Sequence, residues 1–308
     1  MKATAEAYAN IALVKYWGKR NEELILPESA SLSLSLDKLR TVTTVELGVE
    51  ADSFELDGAP QAPERVRAVL DAAGIRQKAR VVSRNEFPTG AGLASSASGF
   101  AALVLAACDA AGQKRTVESL SALARIGSGS ASRSVPGGWA VWTYEAARQV
   151  FPPAHWNVRM VVAVCARGPK AVGSRDGMRA SRETSPFHAA WIEQCRRDLP
   201  SALRSVATRD LAGLGTLAET NAMRMHADAL AAVPPLIYWE PPTVGCLHAV
   251  RRLRERGVKA WATIDAGPHV VALCAEADAA EVERDLAAVA GVEKTLVCAP
   301  AGGAQVIG

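Results

Sequence analysis

The sequence predicts an α+β protein of two domains. Three observations carry that reading. The chain has 308 residues, which at about 150 per domain makes roughly two. Segments that alternate with period two are interleaved with segments of helical spacing. From Val158 onward the order reads strand, helices, strand, strand, helix, strand. That order suits a split βαβ, ferredoxin-like unit.

The elements follow in chain order. Ala3 to Tyr16 reads as a strand pair, or as one strand with an irregular end. Thr41 to Leu47 is β-branched and alternating, hence a strand. Arg65 to Ala73 has helical spacing, and Gly74 stands where a left-handed closing residue belongs. Ala79 to Ser83 is a further strand. Phe100, Leu103, Val104, Ala107, Cys108 and Ala111 fall on one helical face that stops at Gly112. Trp139 to Tyr144 alternates as a strand. Val158 to Ala166 is apolar apart from Arg159, and reads as a strand buried on both faces.

Ser185-Pro186 has the form of an N-cap followed by a first-turn proline, opening a helix that Pro200 interrupts. Another helix runs from about Arg209 to Met225. Thr243 is expected to cap a helix that ends at Gly257. Ala260 to Ile264 and Val270 to Cys274 are strands joined through Asp265-Ala-Gly-Pro-His269. A helix from Asp278 to Ala290 and a strand from Lys294 to Cys298 close the chain. No internal repeat and no polar linker marks a boundary. The division is expected near residues 170 to 185, as domains over 1–178 and 179–308.

Composition removes several classes. Apolar residues make up 49%, ample for a buried core and too many for a disordered chain. The longest apolar run, Phe100 to Cys108, falls far short of the about 20 residues of a membrane-spanning helix. Met1 to Tyr8 has no apolar signal-peptide core. Net charge is +3, from 35 basic and 32 acidic residues, too balanced to argue for nucleic acid. The six cysteines stand 24 or more residues apart, without zinc-ligand spacing. They are expected as buried, reduced thiols in a cytoplasmic protein. The five histidines are scattered, and no HExxH occurs.

Four segments carry candidate chemistry. Pro88-Thr-Gly-Ala-Gly-Leu-Ala-Ser-Ser-Ala-Ser-Gly99 is neither a Walker A loop nor GxGxxG. It does hold what an anion site needs: glycines, small hydroxyls and a following helix N-terminus. A tight turn into a close-packed helix explains the glycines equally well. Three serines, Ser95, Ser96 and Ser98, exceed what one cap requires, and so favour phosphate or metal contacts. Ile126-Gly-Ser-Gly-Ser-Ala-Ser-Arg-Ser-Val-Pro-Gly-Gly138 repeats the pattern with Arg133 attached. Arginine suits bidentate carboxylate or phosphate recognition, although a lone arginine in a loop is usually solvated. Near the N-terminus, Lys15, Lys19 and Arg20 surround Tyr16, Trp17 and Gly18; a solvated basic strand end accounts for them as well. Asp265 sits where a core strand meets a turn, a place aspartate favours for ordinary reasons.

Together the segments NIALVKYWGKR, FPTGAGLASSASGFAAL, GSGSASRSVPGG and TIDAGP resemble the mevalonate diphosphate decarboxylases of the GHMP kinase superfamily, in order and in spacing. The likeness runs from about residue 3 to 275. It includes Leu26-Pro27, Ser31-Leu32-Ser33, Gly173 to Met178, Glu183 to Pro186 and Met225-His226-Ala227. It implies a GHMP kinase fold: an N-terminal domain like ribosomal protein S5 domain 2, and a C-terminal ferredoxin-like domain with the site between them. It implies a role in isoprenoid biosynthesis, with ATP and Mg2+ as cofactors, a homodimer, and no nucleic acid or membrane partner.

The resemblance also implies site residues. Tyr16, Trp17, Gly18 and Lys19 match a substrate-binding segment. Arg65, Ser128, Gly129, Ser130, Ala131, Ser132, Ser174 and Arg175 match further substrate contacts. Arg133 matches the arginine at the substrate carboxylate, and Asp265 the catalytic aspartate, with Lys15 as its cationic neighbour. Gly90, Ala91, Gly92, Leu93, Ala94, Ser95, Ser96, Ala97 and Ser98 match the ATP-phosphate loop, with Ser95 or Ser96 the metal-contacting candidates. Ser132 and Val135-Pro136-Gly137-Gly138 depart from the family's usual Cys and Leu-Tyr-Gly-Gly; Ser29 and Gly90 depart from Asn and Ala.

The chemistry of such a reaction fits these residue types. A tertiary alcohol beta to a carboxylate cannot expel hydroxide. Phosphorylation first makes a leaving group, and its loss lets the carboxylate collapse to CO2 and an alkene. That needs a polyphosphate cradle, an arginine at the carboxylate, cations for the distal diphosphate and one carboxylate at the alcohol. Two alternatives stand beside decarboxylation of mevalonate 5-diphosphate. One is an enzyme acting on mevalonate 5-phosphate, or only phosphorylating the 3-hydroxyl. The other is a non-catalytic nucleotide or metabolite sensor on the same fold.

Overall fold

The structure, a computed structural model, describes residues 1–87, 95–166 and 170–308. The first part holds β1 (Lys2–Val14), β2 (Lys19–Asn21), β3 (Leu26–Pro27), β4 (Ser31–Leu47), β5 (Ser53–Leu56), β6 (Ala59–Gln61), α1 (Glu64–Ala72) and β7 (Ala79–Asn85). Then come α2 (Ser95–Ala110), α3 (Val117–Gly127), α4 (Ala131–Ser134), β8 (Trp139–Trp142), β9 (Ala147–Phe151) and β10 (Val158–Val164). The remainder is α5 (Ser174–Thr184), α6 (His188–Thr208), α7 (Leu211–Leu230), α8 (Pro241–Glu255), β11 (Ala260–Ile264), β12 (Val270–Ala275), α9 (Ala279–Ala287), β13 (Lys294–Cys298) and β14 (Gln305–Val306).

The larger sheet runs β14-β1-β4-β7-β5-β6, with β8 on the early part of β4 and β9 beyond it. Its spine is the antiparallel pairing of β1 with β4, from Lys2 opposite Glu46 to Val14 opposite Leu32. The smaller sheet runs β11-β12-β10-β13, antiparallel throughout. Its four strands follow one another in the chain, so this is the ferredoxin-like order. One buried apolar cluster joins the halves: Ile11, Leu13, Leu34 and Trp139 meet Val162, Leu214 and Met225. The cleft between the sheets is therefore held by shared core.

Strand alternation does specific work in β4. Leu32, Leu34 and Leu36 enter that core. Ser31, Ser33 and Ser35 alternate with them, so they point to the opposite face, yet they too are fully buried. The polar face of a buried strand needs partners, and for Ser31 and Ser33 the partner is Arg133.

The structure corrects several expected elements. α6 continues through Pro200 for 21 residues. One amide is lost there, but Cys195, Ala202 and Val206 are buried on both sides of it, and packing outweighs a single missing bond. Ser185 closes α5 instead of capping α6, although its Oγ accepts from Phe187 N at 3.3 Å. Thr243 is the third residue of α8: its Oγ1 accepts from Glu240 N, reciprocating the Glu240 cap. α2 begins at Ser95 and is buried nearly all round, so its apolar pattern is wider than one face. Helices α3 and α5 and the short strands β5, β6, β9 and β14 add to the expected elements; both helices are amphipathic, so their period was there to be read. All six cysteines are buried and free. Among the described residues no helix is long and apolar enough to cross a membrane.

Candidate active site

A cavity of about 420 Å³ opens where β1 ends, α2 begins and the turn after β11 meets the start of α5. Among the described residues its wall carries six basic side chains, Lys15, Lys19, Arg65, Arg133, Lys170 and Arg175, against two acidic ones, Asp176 and Asp265. That imbalance suits a polyanion.

Asp265 follows β11 directly, in a turn closed by Gly267 N donating to its carbonyl at 2.7 Å. Lys15, just past β1, is 1% exposed; its Nζ donates to Asp265 Oδ1 at 2.6 Å and to Ala12 O at 2.7 Å. Burial pulls the Lys15 ammonium below the usual lysine range, and the Asp265 charge works against that. The Lys15 backbone is pinned in turn: its N–H donates to Asn221 Oδ1 at 2.8 Å, and Asn221 donates to Asp198.

Arg133 lies on α4 and is 2% exposed. Its Nε donates to Asn10 Oδ1 at 3.0 Å and Ser33 Oγ at 2.9 Å, and Nη1 to Ser31 Oγ at 2.6 Å. Neutral acceptors fix the plane of the guanidinium without neutralising it. Burial lowers its pKa to about 10, so it stays charged at neutral pH. Asn10 also donates to Ser130 O and Ser134 Oγ, tying α4 to β1.

Arg65 and Arg175 converge from α1 and α5 on one carbonyl, Gly127 O, at 2.6 and 2.9 Å. Among the described residues neither has a carboxylate partner. Burial and the Arg175 charge both pull Arg65 down. Two guanidiniums converging on one carbonyl present paired donors suited to an anion. Lys19 is 3% exposed and paired with Glu22. Tyr16 packs edge-on to Trp142, with a buried hydroxyl that has no partner among the described residues; burial pushes its pKa up.

The cavity brings together most of the sequence-matched residues: Lys15, Tyr16, Trp17, Lys19, Arg65, Ser95, Ser96, Ser128, Gly129, Ser130, Arg133, Ser174, Arg175 and Asp265. Ser96 and Ser128 face each other, Oγ to Oγ, at 3.2 Å. Trp17 borders the cavity but is 1% exposed, and its Nε1 donates to Ser181 Oγ at 3.0 Å. Gly18 lies behind the wall, against Glu28, His188 and Ile192. Ala131 and Ser132 are buried inside α4, where Ser132 Oγ donates to Gly129 O. Ala97 and Ser98 turn into the core, and Ser98 Oγ bonds Thr41 Oγ1 at 2.6 Å. Gly90, Ala91, Gly92, Leu93 and Ala94 lie outside the described residues.

Sequence reasoning missed Lys170. Its Nζ donates to Ser174 Oγ and Ala266 O, both at 2.6 Å, and burial lowers its pKa to about 8. A lysine that follows Gly-Pro in the sequence carries no local signal of that placement. Asn10, Ser31, Ser33 and Asn221 were also missed as supports, though the Ser-Leu alternation of 31–36 was visible.

The comparisons agree with this geometry. Residues 7–150 match the diphosphomevalonate decarboxylase-like N-terminal domain, and residues 160–301 the mevalonate 5-diphosphate decarboxylase C-terminal domain. The chain is 34% identical to diphosphomevalonate decarboxylase mvd1 of Aspergillus fumigatus, over 94% of this chain and 81% of that one. It is 36% identical to the human diphosphomevalonate decarboxylase, over 87% of this chain and 75% of that one. Among solved structures, mevalonate diphosphate decarboxylase from Staphylococcus aureus superposes with a TM-score of 0.92 at 34% identity, covering 100% and 98% of the two chains. A structure described as MDDEF in complex with MVAPP, AMPPCP and magnesium superposes with a TM-score of 0.93 at 37% identity, covering 100% and 99%. With both domain families matched in order, and the GHMP kinase fold shared along the whole chain, this protein belongs to the mevalonate diphosphate decarboxylase family.

Proposed function

We propose that the chain decarboxylates mevalonate 5-diphosphate to isopentenyl diphosphate, consuming ATP with Mg2+. The observation that carries this reading is the meeting of Asp265, Lys15 and Arg133 with four further cations in one cavity. The MDDEF structure, with its substrate, nucleotide analogue and magnesium, supports it.

The residues present fit the nucleotide. Ser95 and Ser96 open the described part of α2 and both line the cavity, where their hydroxyls suit phosphate oxygens. Among the described residues no cluster of three His, Cys, Asp or Glu side chains could hold a metal. Magnesium therefore fits as a companion of the phosphates, with Ser95 or Ser96 as added ligands. ATP supplies the phosphoryl group that turns the 3-hydroxyl into a leaving group.

The chain's own residues do the rest. Asp265 accepts the hydrogen bond of the 3-hydroxyl and orients it, with Lys15 holding the carboxylate in place. Arg133 holds the substrate carboxylate in a plane set by Asn10, Ser31 and Ser33. As the leaving group departs, positive charge develops on the carbinol carbon beside Asp265, which stabilises it. The carboxylate electrons then form the alkene, and CO2 leaves. Lys19, Arg65, Arg175 and Tyr16 hold the terminal diphosphate, with Ser128 to Ser130 supplying hydroxyl and backbone groups.

Incubation with ATP, Mg2+ and either mevalonate 5-diphosphate or the 5-phosphate tests this, with ADP, CO2 and alkene followed separately. One ADP and one CO2 per alkene are expected. ADP without CO2 from the better substrate would make the enzyme a kinase. Six free, buried thiols support a reducing, cytoplasmic setting. A homodimer is the assembly we propose, to be checked by light scattering.

A further inference from the structure

His188, the first residue of α6, has a carboxylate at each ring nitrogen. Nδ1 lies 2.8 Å from Asp228 Oδ2 on α7, and Nε2 lies 3.3 Å from Glu28 Oε2 beyond β3. Asp228 is fully buried and its Oδ1 has no hydrogen-bond partner among the described residues. A neutral imidazole would turn a lone pair toward one of the two carboxylates, so the arrangement requires imidazolium. Hydrogen bonds and charge from both carboxylates hold its pKa above the usual histidine value, against the desolvation of the ring. The helix N-terminus opposes a positive charge there, and two carboxylates outweigh that half-charge.

The bridge crosses the chain at Gly18, which has no side chain. A Cβ on Gly18, at φ +148°, would come within 3.1 Å of Glu28 Oε2 and 3.3 Å of His188 Cε1. Glu28 N donates to Gly18 O at 3.1 Å. On either side of Gly18 the backbone is gripped by the same helical layer: Trp191 Nε1 donates to Trp17 O, and Arg182 Nη1 to Lys19 O. Tyr16 and Lys19, flanking this strap, both line the cavity.

We propose that His188, bridging Asp228 and Glu28 across Gly18, is a positioning residue that holds the Tyr16–Lys19 segment in register for the phosphates at the distal end of the substrate. The proposal rests on the functional reading above and adds a residue that touches no substrate. The charged groups facing the ring are Asp228 from α7 and Glu28 from the β3 end; Gly18 packs against it from the segment it positions, and Ile192 of its own helix packs on the same glycine.

The bridge is intact below the usual histidine value. It opens as pH rises through the raised one, when Nε2 loses its proton and faces the Glu28 carboxylate with a lone pair. Glu28→Gln removes that conflict. The amide accepts from imidazolium at low pH and donates to neutral imidazole at high pH, so the strap stays closed throughout. Glu28 is partly exposed, and the isosteric change leaves the core untouched.

The test compares wild type with Glu28→Gln from about pH 6 to 9. Two quantities are read: calorimetric Kd for inorganic pyrophosphate, and KM and kcat for mevalonate 5-diphosphate. The probe's own titration cancels in the ratio of the two proteins. The expected result is a ratio of Kd, and of KM, of wild type to variant that rises about three- to tenfold across the range, with the kcat ratio constant. A flat Kd ratio, or a change confined to kcat, would overturn the proposal. Wild-type protein that does not turn over mevalonate 5-diphosphate would instead sink the functional reading, and the pyrophosphate arm still decides the strap.

Discussion

Lys15 Nζ and Asp265 Oδ1 lie 2.6 Å apart across a separation of 250 residues. The lysine is buried and its carboxylate partner is partly open to the cavity. The lysine therefore depends on the aspartate for charge compensation, and the aspartate keeps one side open to the cavity.

Asp265→Asn should fold, because Lys15 keeps its bond to Ala12 O and its proton is already loosened by burial. Turnover should fall at least about 10²-fold, the loss expected for a group that handles the reacting hydroxyl's proton. Steady-state kinetics on purified variant of wild-type circular dichroism decide it. A near-wild-type rate would reduce Asp265 to a turn residue.

Arg133→Lys keeps the charge and loses the fork. A lysine cannot engage Asn10, Ser31 and Ser33 while facing a carboxylate. The expected loss is about 10²-fold in kcat/KM for the carboxylate-bearing substrate, with ATP affinity little changed. If ATP binding weakens equally, Arg133 belongs to the nucleotide.

The Arg65–Arg175 pair over Gly127 O predicts a preference for two terminal phosphates over one. Charge-assisted bonds are worth roughly 1.5–3 kcal/mol each, so the 5-diphosphate should exceed the 5-phosphate about ten- to a hundredfold in kcat/KM. Arg175→Ala should shrink that gap. Side-by-side kinetics test it, and equal values would favour the monophosphate reading.

Lys170 gives the cavity a titrating cation. With a pKa near 8, it loses its charge as pH rises through that value, and anion binding should weaken there. Lys170→Arg carries a charge that persists beyond about pH 12 and should move the alkaline fall in kcat/KM upward. An unchanged pH–rate profile would place Lys170 outside the reaction.

Gly137→Ala should unfold or strongly destabilise the protein. Gly137 has φ +60°, and a Cβ there would overlap the Gly302 carbonyl, where the C-terminal segment closes over the α4–β8 turn. A cost of about 3 kcal/mol or more is expected. Thermal denaturation of Gly137→Ala against Gly302→Ala, whose Cβ meets open space, separates the packing effect from a general glycine effect.

Local chemistry was legible wherever period and punctuation agree. The alternation of Thr41 to Leu47, the apolar run of Met160 to Val164 and the glycine at 74 each report a backbone state set by near neighbours. The motifs also located Asp265 at a strand end and Arg133 in a glycine-serine segment, and both line one cavity. The continuation of α6 through Pro200 was not legible, because the bond lost at the proline is repaid by Cys195, Ala202 and Val206 meeting side chains far along the chain. Lys170 was hidden for the same reason. Nothing in the residues beside it along the chain announces that Asp265, 95 positions later, will share its cavity. Residue types and their order along the chain determined which reaction groups exist. Only the packing of two sheets on one core decided which ammonium faces which carboxylate, because those distances are set by apolar contacts between segments the sequence keeps apart.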